Sequence, residues 1–143
     1  MIVSSAVDYF PKSELACPCC GTIRIAKGFM DLVQLLRSET HPFLIISCSR
    51  CQRHNQSKGV GGHESSLHLL DNPKHLTPTI ACDVSMYRWP EPKKQKFYKA
   101  AKALGFSIGV KENSIHLDFR ELVGLPRITF KYGYVPNWFA NIN

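Results

Sequence analysis

The chain has 143 residues, of which 44% are apolar and 20% charged, a balance that excludes a disordered or low-complexity polymer and suits one domain spanning residues 1–143. Its longest run of purely aliphatic or aromatic residues, Phe43-Leu44-Ile45-Ile46, falls far short of the roughly 18–20 that cross a bilayer, so no integral membrane segment is expected. Lysines and arginines number 18 against 11 acidic residues, and the net charge of +7 suits a polyanionic partner such as nucleic acid, anionic lipid or a bacterial wall polymer.

Residues 1–16 read as an irregular arm ending in a short helical turn, with Ser13 as its cap. The first residues have neither a basic start nor a sustained apolar stretch, so no secretory signal is expected and the chain is read as cytoplasmic when synthesised. Cys17-Pro18-Cys19-Cys20-Gly21 forms a tight turn. Phe29, Leu32, Val33, Leu35 and Leu36 then recur near a 3.6-residue period and predict a helix over 28–38. A buried strand is expected over 43–47, and a long Gly- and Ser-rich loop over 48–66. A second loop precedes a strand over 80–85. Pro90 and Pro92 break the chain before a helix over 93–104, which Gly105 caps. Its lysines (Lys93, Lys94, Lys96, Lys99, Lys102) read as a solvated face. Strands over 107–111 and 114–119 flank a turn at Glu112-Asn113, and one more strand is expected over 128–131. Helices and strands mix without a repeating strand–helix–strand rhythm, which makes the class α+β.

Three residues beside the long loops, His68, Asp83 and His116, have the chemistry of a catalytic zinc site, in which three protein ligands leave a fourth position for water. The segments around them resemble a known family. Ile46-Ser47-Cys48-Ser49-Arg50-Cys51-Gln52-Arg53-His54-Asn55 is similar to the "SGYRCPEHN" segment of the zinc D-Ala-D-Ala carboxypeptidases. Gly61-Gly62 with Ser66-Leu67-His68 resembles their "GG…S-x-H" segment, Ala81-Cys82-Asp83-Val84 their "A-x-D-I", and Ile115-His116-Leu117-Asp118-Phe119-Arg120 their "IHVDVR". The matches keep the family's order and cover roughly residues 10–120.

The resemblance implies a small antiparallel sheet with helices packed on one side, the fold shared with the hedgehog signalling domain. It further implies a zinc held by His68, Asp83 and His116, Arg50 on a substrate carboxylate or carbonyl, and Ser66 on a polar group of the peptide. The implied activity is that of a zinc metallopeptidase cleaving an amide in peptidoglycan stem peptides, as a carboxypeptidase or an endolysin-type endopeptidase reaching the wall after release. The chain departs from the family twice. Fifteen positions separate His68 from Asp83 where relatives have seven, and Asn113 stands where many carry a carboxylate base. Asp118, on the same strand face as His116, is the expected base, with Glu112 as the alternative.

The cysteines support a rival reading. Cys17-Pro18-Cys19-Cys20-Gly21 and Cys48-Ser49-Arg50-Cys51 supply two C-x-x-C pairs, so Cys17, Cys20, Cys48 and Cys51 match a four-thiolate structural zinc. Alone, that pattern describes a non-enzymatic zinc-ribbon module; beside a peptidase site it describes a second, structural zinc. The family resemblance favours instead a disulfide from Cys51 to Cys17, Cys19 or Cys20. A catalytically inactive relative that only binds wall peptide is also open. Arginines and aromatics do not interleave along one strand, so no nucleic-acid partner is expected.

Overall fold

A five-stranded sheet carries the molecule, with strand order β1-β2-β4-β3-β5. The strands are β1 (Ile45–Ser47), β2 (Ala81–Ser85), β3 (Ser107–Val110), β4 (Ser114–Asp118) and β5 (Thr129–Lys131). The computed structural model describes residues 1–4 and 10–142, so part of the expected N-terminal arm lies outside the described residues. Among the described residues the helices are α1 (Lys12–Leu15), α2 (Lys27–Glu39), α3 (Gln52–Asn55), α4 (Glu91–Leu104) and α5 (Asn137–Ala140), with a 3₁₀ turn at Arg120–Val123.

Alternation along the strands sorts the two faces of the sheet. Val84, Ile115 and Val110 pair across β2, β4 and β3, and Cys82, Leu117 and Ile108 form the next row. All six are buried in one core with Phe29, Met30, Val33 and Leu36 of α2 and Phe97 and Ala101 of α4. The opposite face carries a different row: Ser47 pairs with Asp83, Asp83 with His116, His116 with Gly109, and Gly109 with Phe130. One hydrophobic layer thus leaves two adjacent strands presenting Asp83 and His116 side by side.

The α+β class is as expected. Four strands pair antiparallel, whereas β5 joins β3 in parallel, so the sheet is mixed at that edge. Helix α4 begins two residues earlier than the prolines suggest, because Pro92 falls in its first turn, where a missing N–H costs no helical hydrogen bond. Gly105 ends it in the left-handed region at φ +104°. Two local readings change. Ser13 makes no capping bond to α1; Glu14 instead accepts from the Ile45 N–H at 2.8 Å and ties α1 to the sheet. Lys94 is buried and donates to the Glu112 carbonyl, so the lysines of α4 are not one solvated face. Cys82 lies fully buried in the core, as its apolar neighbours suggest. No helix among the described residues is long and apolar enough to cross a membrane.

Candidate metal centre

His68, Asp83 and His116 converge although they come from a loop and two strands. One nitrogen or oxygen from each lies within 4.8 Å of the others. Asp83 Oδ1 is the shared point, 3.1 Å from His116 Nδ1 and 3.5 Å from His68 Nε2. Tetrahedral bonds of about 2.0–2.1 Å would set such donors about 3.3 Å apart, so the residues fit a zinc ion.

The outer nitrogen of each imidazole is occupied. His68 Nδ1 donates to the Cys48 carbonyl at 2.8 Å, which leaves Nε2 to face Asp83. His116 is fixed the other way round, since its Nε2 meets Asp118 Oδ2 at 2.8 Å and its Nδ1 faces the cluster. Partners of this kind select the tautomer and aim the remaining lone pair at a metal.

Electrostatics follow from burial and these contacts. Burial opposes ionisation of Asp83, but His68 and His116 outweigh it and hold the carboxyl far below the usual carboxylate range. Burial pushes His68 down, against the pull of Asp83. Burial also disfavours charge on His116, yet its bonds to Asp118 and Asp83 prevail and raise it to about 9.

Asp118 is not among the residues lining the triad's cleft, but it borders an adjoining one of about 330 Å³ together with Ser66, His116 and Arg120. Its side chain is 0% exposed. Arg120 grips it through Nε to Oδ1 at 2.9 Å and a second nitrogen to Oδ2 at 2.6 Å. Burial works against the charge, but Arg120 and His116 keep the carboxyl below its ordinary range. Strand alternation does place Asp118 on the face of His116, as expected. The turn after Phe119 then folds Arg120 back and commits both carboxylate oxygens. Glu112 accepts from Lys94, its backbone N–H donates to the Tyr134 hydroxyl at 2.9 Å, and it does not line the triad's cleft.

Arg50 and Ser66 do line the cleft that holds the triad, a space of about 400 Å³ bordered also by Gly62, His63, Lys111 and Tyr132. Arg50 donates to Ser47 Oγ at 3.2 Å, Asn55 Oδ1 at 3.4 Å and Asp83 Oδ2 at 3.4 Å. Ser66 Oγ accepts from the His68 N–H at 3.3 Å, which leaves its proton to donate. Buried Asn55 also donates to the His63 carbonyl at 2.7 Å. A Cβ on Gly62 would come within 2.0 Å of Asn55 Oδ1, so glycine is required where the loop crosses that side chain. The long segment between His68 and Asp83 folds around Asn72, which donates to the carbonyls of Ser65 and Ser66 and accepts from the N–H groups of Lys74 and His75. The insertion therefore braces the Ser66 loop and leaves the ligands together.

Sequence reasoning missed Asn55, Arg120, Lys111 and Tyr132 as parts of the site. Asn55 and Arg120 close two of the resembling segments, and that position was the available signal.

A family model for peptidase M15 matches residues 8–118, well over half of the chain. The chain belongs to the peptidase M15 family. The resemblance carried by the four ordered segments is thereby confirmed, and M15 peptidases are zinc-dependent. Comparison with curated proteins and with solved structures returns no match.

The cysteine reading is corrected in one respect for this M15 chain. Cys48 does not join the other thiols: its side chain lies in the hydrophobic core, and burial pushes the thiol up to about 12. Strand β1 ends just before it, and core packing turns the side chain inward while its carbonyl takes His68. The ribbon of Cys17, Cys20, Cys48 and Cys51 therefore does not form.

Proposed function

We propose that the chain is a zinc metallopeptidase that hydrolyses an amide bond in bacterial peptidoglycan stem peptides, as a carboxypeptidase or an endopeptidase. The observation that carries this proposal is the convergence of His68 Nε2, Asp83 Oδ1 and His116 Nδ1 at a cleft also lined by Arg50. These three would hold the ion. Zinc bound there supplies a water of lowered pKa and polarises a carbonyl.

The chain's own residues do the rest. Arg50 contacts its neighbours at 3.2–3.4 Å, long enough to yield to a substrate carboxylate or carbonyl, for which a planar guanidinium is suited. Ser66 donates its hydroxyl proton to a polar group of the peptide. Burial first, with Asp83 and Asp118 adding to it, pushes Tyr132 up to about 12, so its phenol stays a hydrogen-bond donor at the rim. Asp118, held by Arg120, orients His116 and acts as a positioning residue rather than as the base. Lys111 and the net charge of +7 favour anionic wall fragments.

One observation favours a second reading, a relative that binds wall peptide without cleaving it. Among the described residues no carboxylate except Asp83 lines the cleft. The zinc-loaded protein, incubated with stem peptides ending in D-Ala-D-Ala and with longer cross-linked ones, separates the two. Release of D-Ala or an internal cut, abolished in His68→Ala, establishes the peptidase and the bond. Zinc retained with peptide binding by calorimetry and no product establishes the binder.

A further inference from the structure

The turn 17–21 and the segment after β1 meet at a second group of metal-type donors, remote in chemistry from the triad. The Sγ atoms of Cys17, Cys20 and Cys51 lie within 4.8 Å of one another. Cys19, exposed on the same turn, lies outside that group of three. We propose that Cys17, Cys20 and Cys51 hold a structural zinc whose fourth position Cys19 closes by swinging in from the same turn, a site separate from the peptidase centre and independent of the peptidase reading.

Five features support it. A tetrahedral zinc with bonds of about 2.3 Å sets its sulfurs about 3.8 Å apart, within a small adjustment of the spacing of Cys17, Cys20 and Cys51. A disulfide joins two sulfurs and would leave the others of this group without a role. The surrounding backbone already donates to sulfur: the Cys51 N–H reaches Cys17 Sγ at 3.3 Å and the His54 N–H reaches Cys51 Sγ at 3.4 Å. Such donors satisfy thiolates that zinc has stripped of their protons. The turn is built for the task, with the Gly21 N–H bonded to the Cys17 carbonyl at 2.8 Å and Gly21 in the left-handed region at φ +73°. Arg53 lies close enough to Cys19 to offset part of the negative charge.

The site has a clear mechanical consequence. Cys51 follows Arg50, whose N–H donates to the His68 carbonyl at 2.9 Å and whose carbonyl accepts from the Leu70 N–H at 2.9 Å. A zinc on Cys51 would pin this stretch to the N-terminal turn and hold the guanidinium over the cleft.

Zinc per chain, measured on protein purified with reductant, tests the assignment. We expect two zinc in the wild type, one in the double variant His68→Ala/His116→Ala and one in Cys17→Ser/Cys20→Ser. X-ray absorption of the histidine variant should show a sulfur shell at about 2.3 Å. Replacing its zinc with cobalt should produce intense sulfur-to-metal charge transfer. Should the double cysteine variant fail to fold, exposed Cys19→Ser in the histidine background serves instead, with a shifted cobalt spectrum expected. Full zinc retention in the cysteine variants, an oxygen- and nitrogen-only shell, or a peptide map linking two of the four cysteines as a disulfide overturns the proposal. None of those three results touches the triad, whereas a wild type that holds its sulfur-bound zinc but cleaves no stem peptide would count against the peptidase reading alone.

Discussion

Asp118 stands behind His116, 2.8 Å from the imidazole nitrogen that faces away from the metal centre, while the opposite nitrogen lies 3.1 Å from Asp83. A carboxylate in that place sets which nitrogen carries the proton and keeps the ring from turning. Asp118→Asn is therefore expected to weaken zinc affinity by about 10–100-fold, the effect of losing a partner that orients a ligand. At saturating zinc, kcat should stay close to wild type. A general base would show the reverse, zinc retained and kcat lower by about 10²–10⁴-fold. Zinc titration against a chelating dye, followed by kinetics at high zinc, distinguishes the two.

The raised pKa of His116 gives zinc binding a pH dependence with a definite sign. At about 9, against an ordinary imidazole value of 6.5, the metal-free ring is protonated at neutral pH, and zinc must displace its Nδ1 proton. Apparent zinc affinity should fall by up to about tenfold for each pH unit below 9 and level off above it. In the metal-free fold this group's stabilisation is complete below 6.5 and is lost as pH rises through 9. His68, whose pKa is lowered by burial, contributes with the opposite sign and loses its share as pH falls. Calorimetry in buffers of different ionisation enthalpy counts the released proton.

Arg50→Lys keeps a positive charge but loses the planar fork that reaches Ser47, Asn55 and Asp83 together. Losing a charged hydrogen bond of about 1.5–3 kcal/mol predicts a drop in kcat/KM on stem peptides of about 10–100-fold, with zinc content unchanged. Unchanged kcat/KM with a lowered melting temperature would make Arg50 a purely structural residue.

Gly109 sits beside His116 in the open-face row, and a Cβ there would lie 2.7 Å from both Phe130 Cε2 and the Tyr132 hydroxyl. Gly109→Ala should therefore displace the aromatic wall of the cleft and cost about 1–3 kcal/mol by overpacking. KM for stem peptides should rise while zinc binding persists. Denaturant unfolding and steady-state kinetics read the two effects separately.

Local chemistry in the chain determines much of this. Period-two alternation around Asp83 and His116 puts both on the polar face of their strands, and the 3.6-residue period of Phe29, Val33 and Leu36 builds the helix that covers the other face. The order of the segments around Arg50, His68, Asp83 and His116 identifies the family, because each segment carries its signal in adjacent residues. What only the tertiary structure decides is the direction of individual polar atoms. Asp118 shares a face with His116 by simple alternation, but that Arg120 folds back to bond both of its carboxylate oxygens is decided only by the turn after β4. Cys48 and Cys51 have the spacing of a ligand pair, yet core packing after β1 draws Cys48 inward and leaves Cys51 to meet the thiols of the N-terminal turn. The tautomer of His68 depends on a carbonyl twenty residues away, and the parallel pairing of β5 on the chain after β4 reaching the far edge of β3. Alternation and helical period act over a few bonds; which lone pair meets which hydrogen depends on segments that only folding brings into contact.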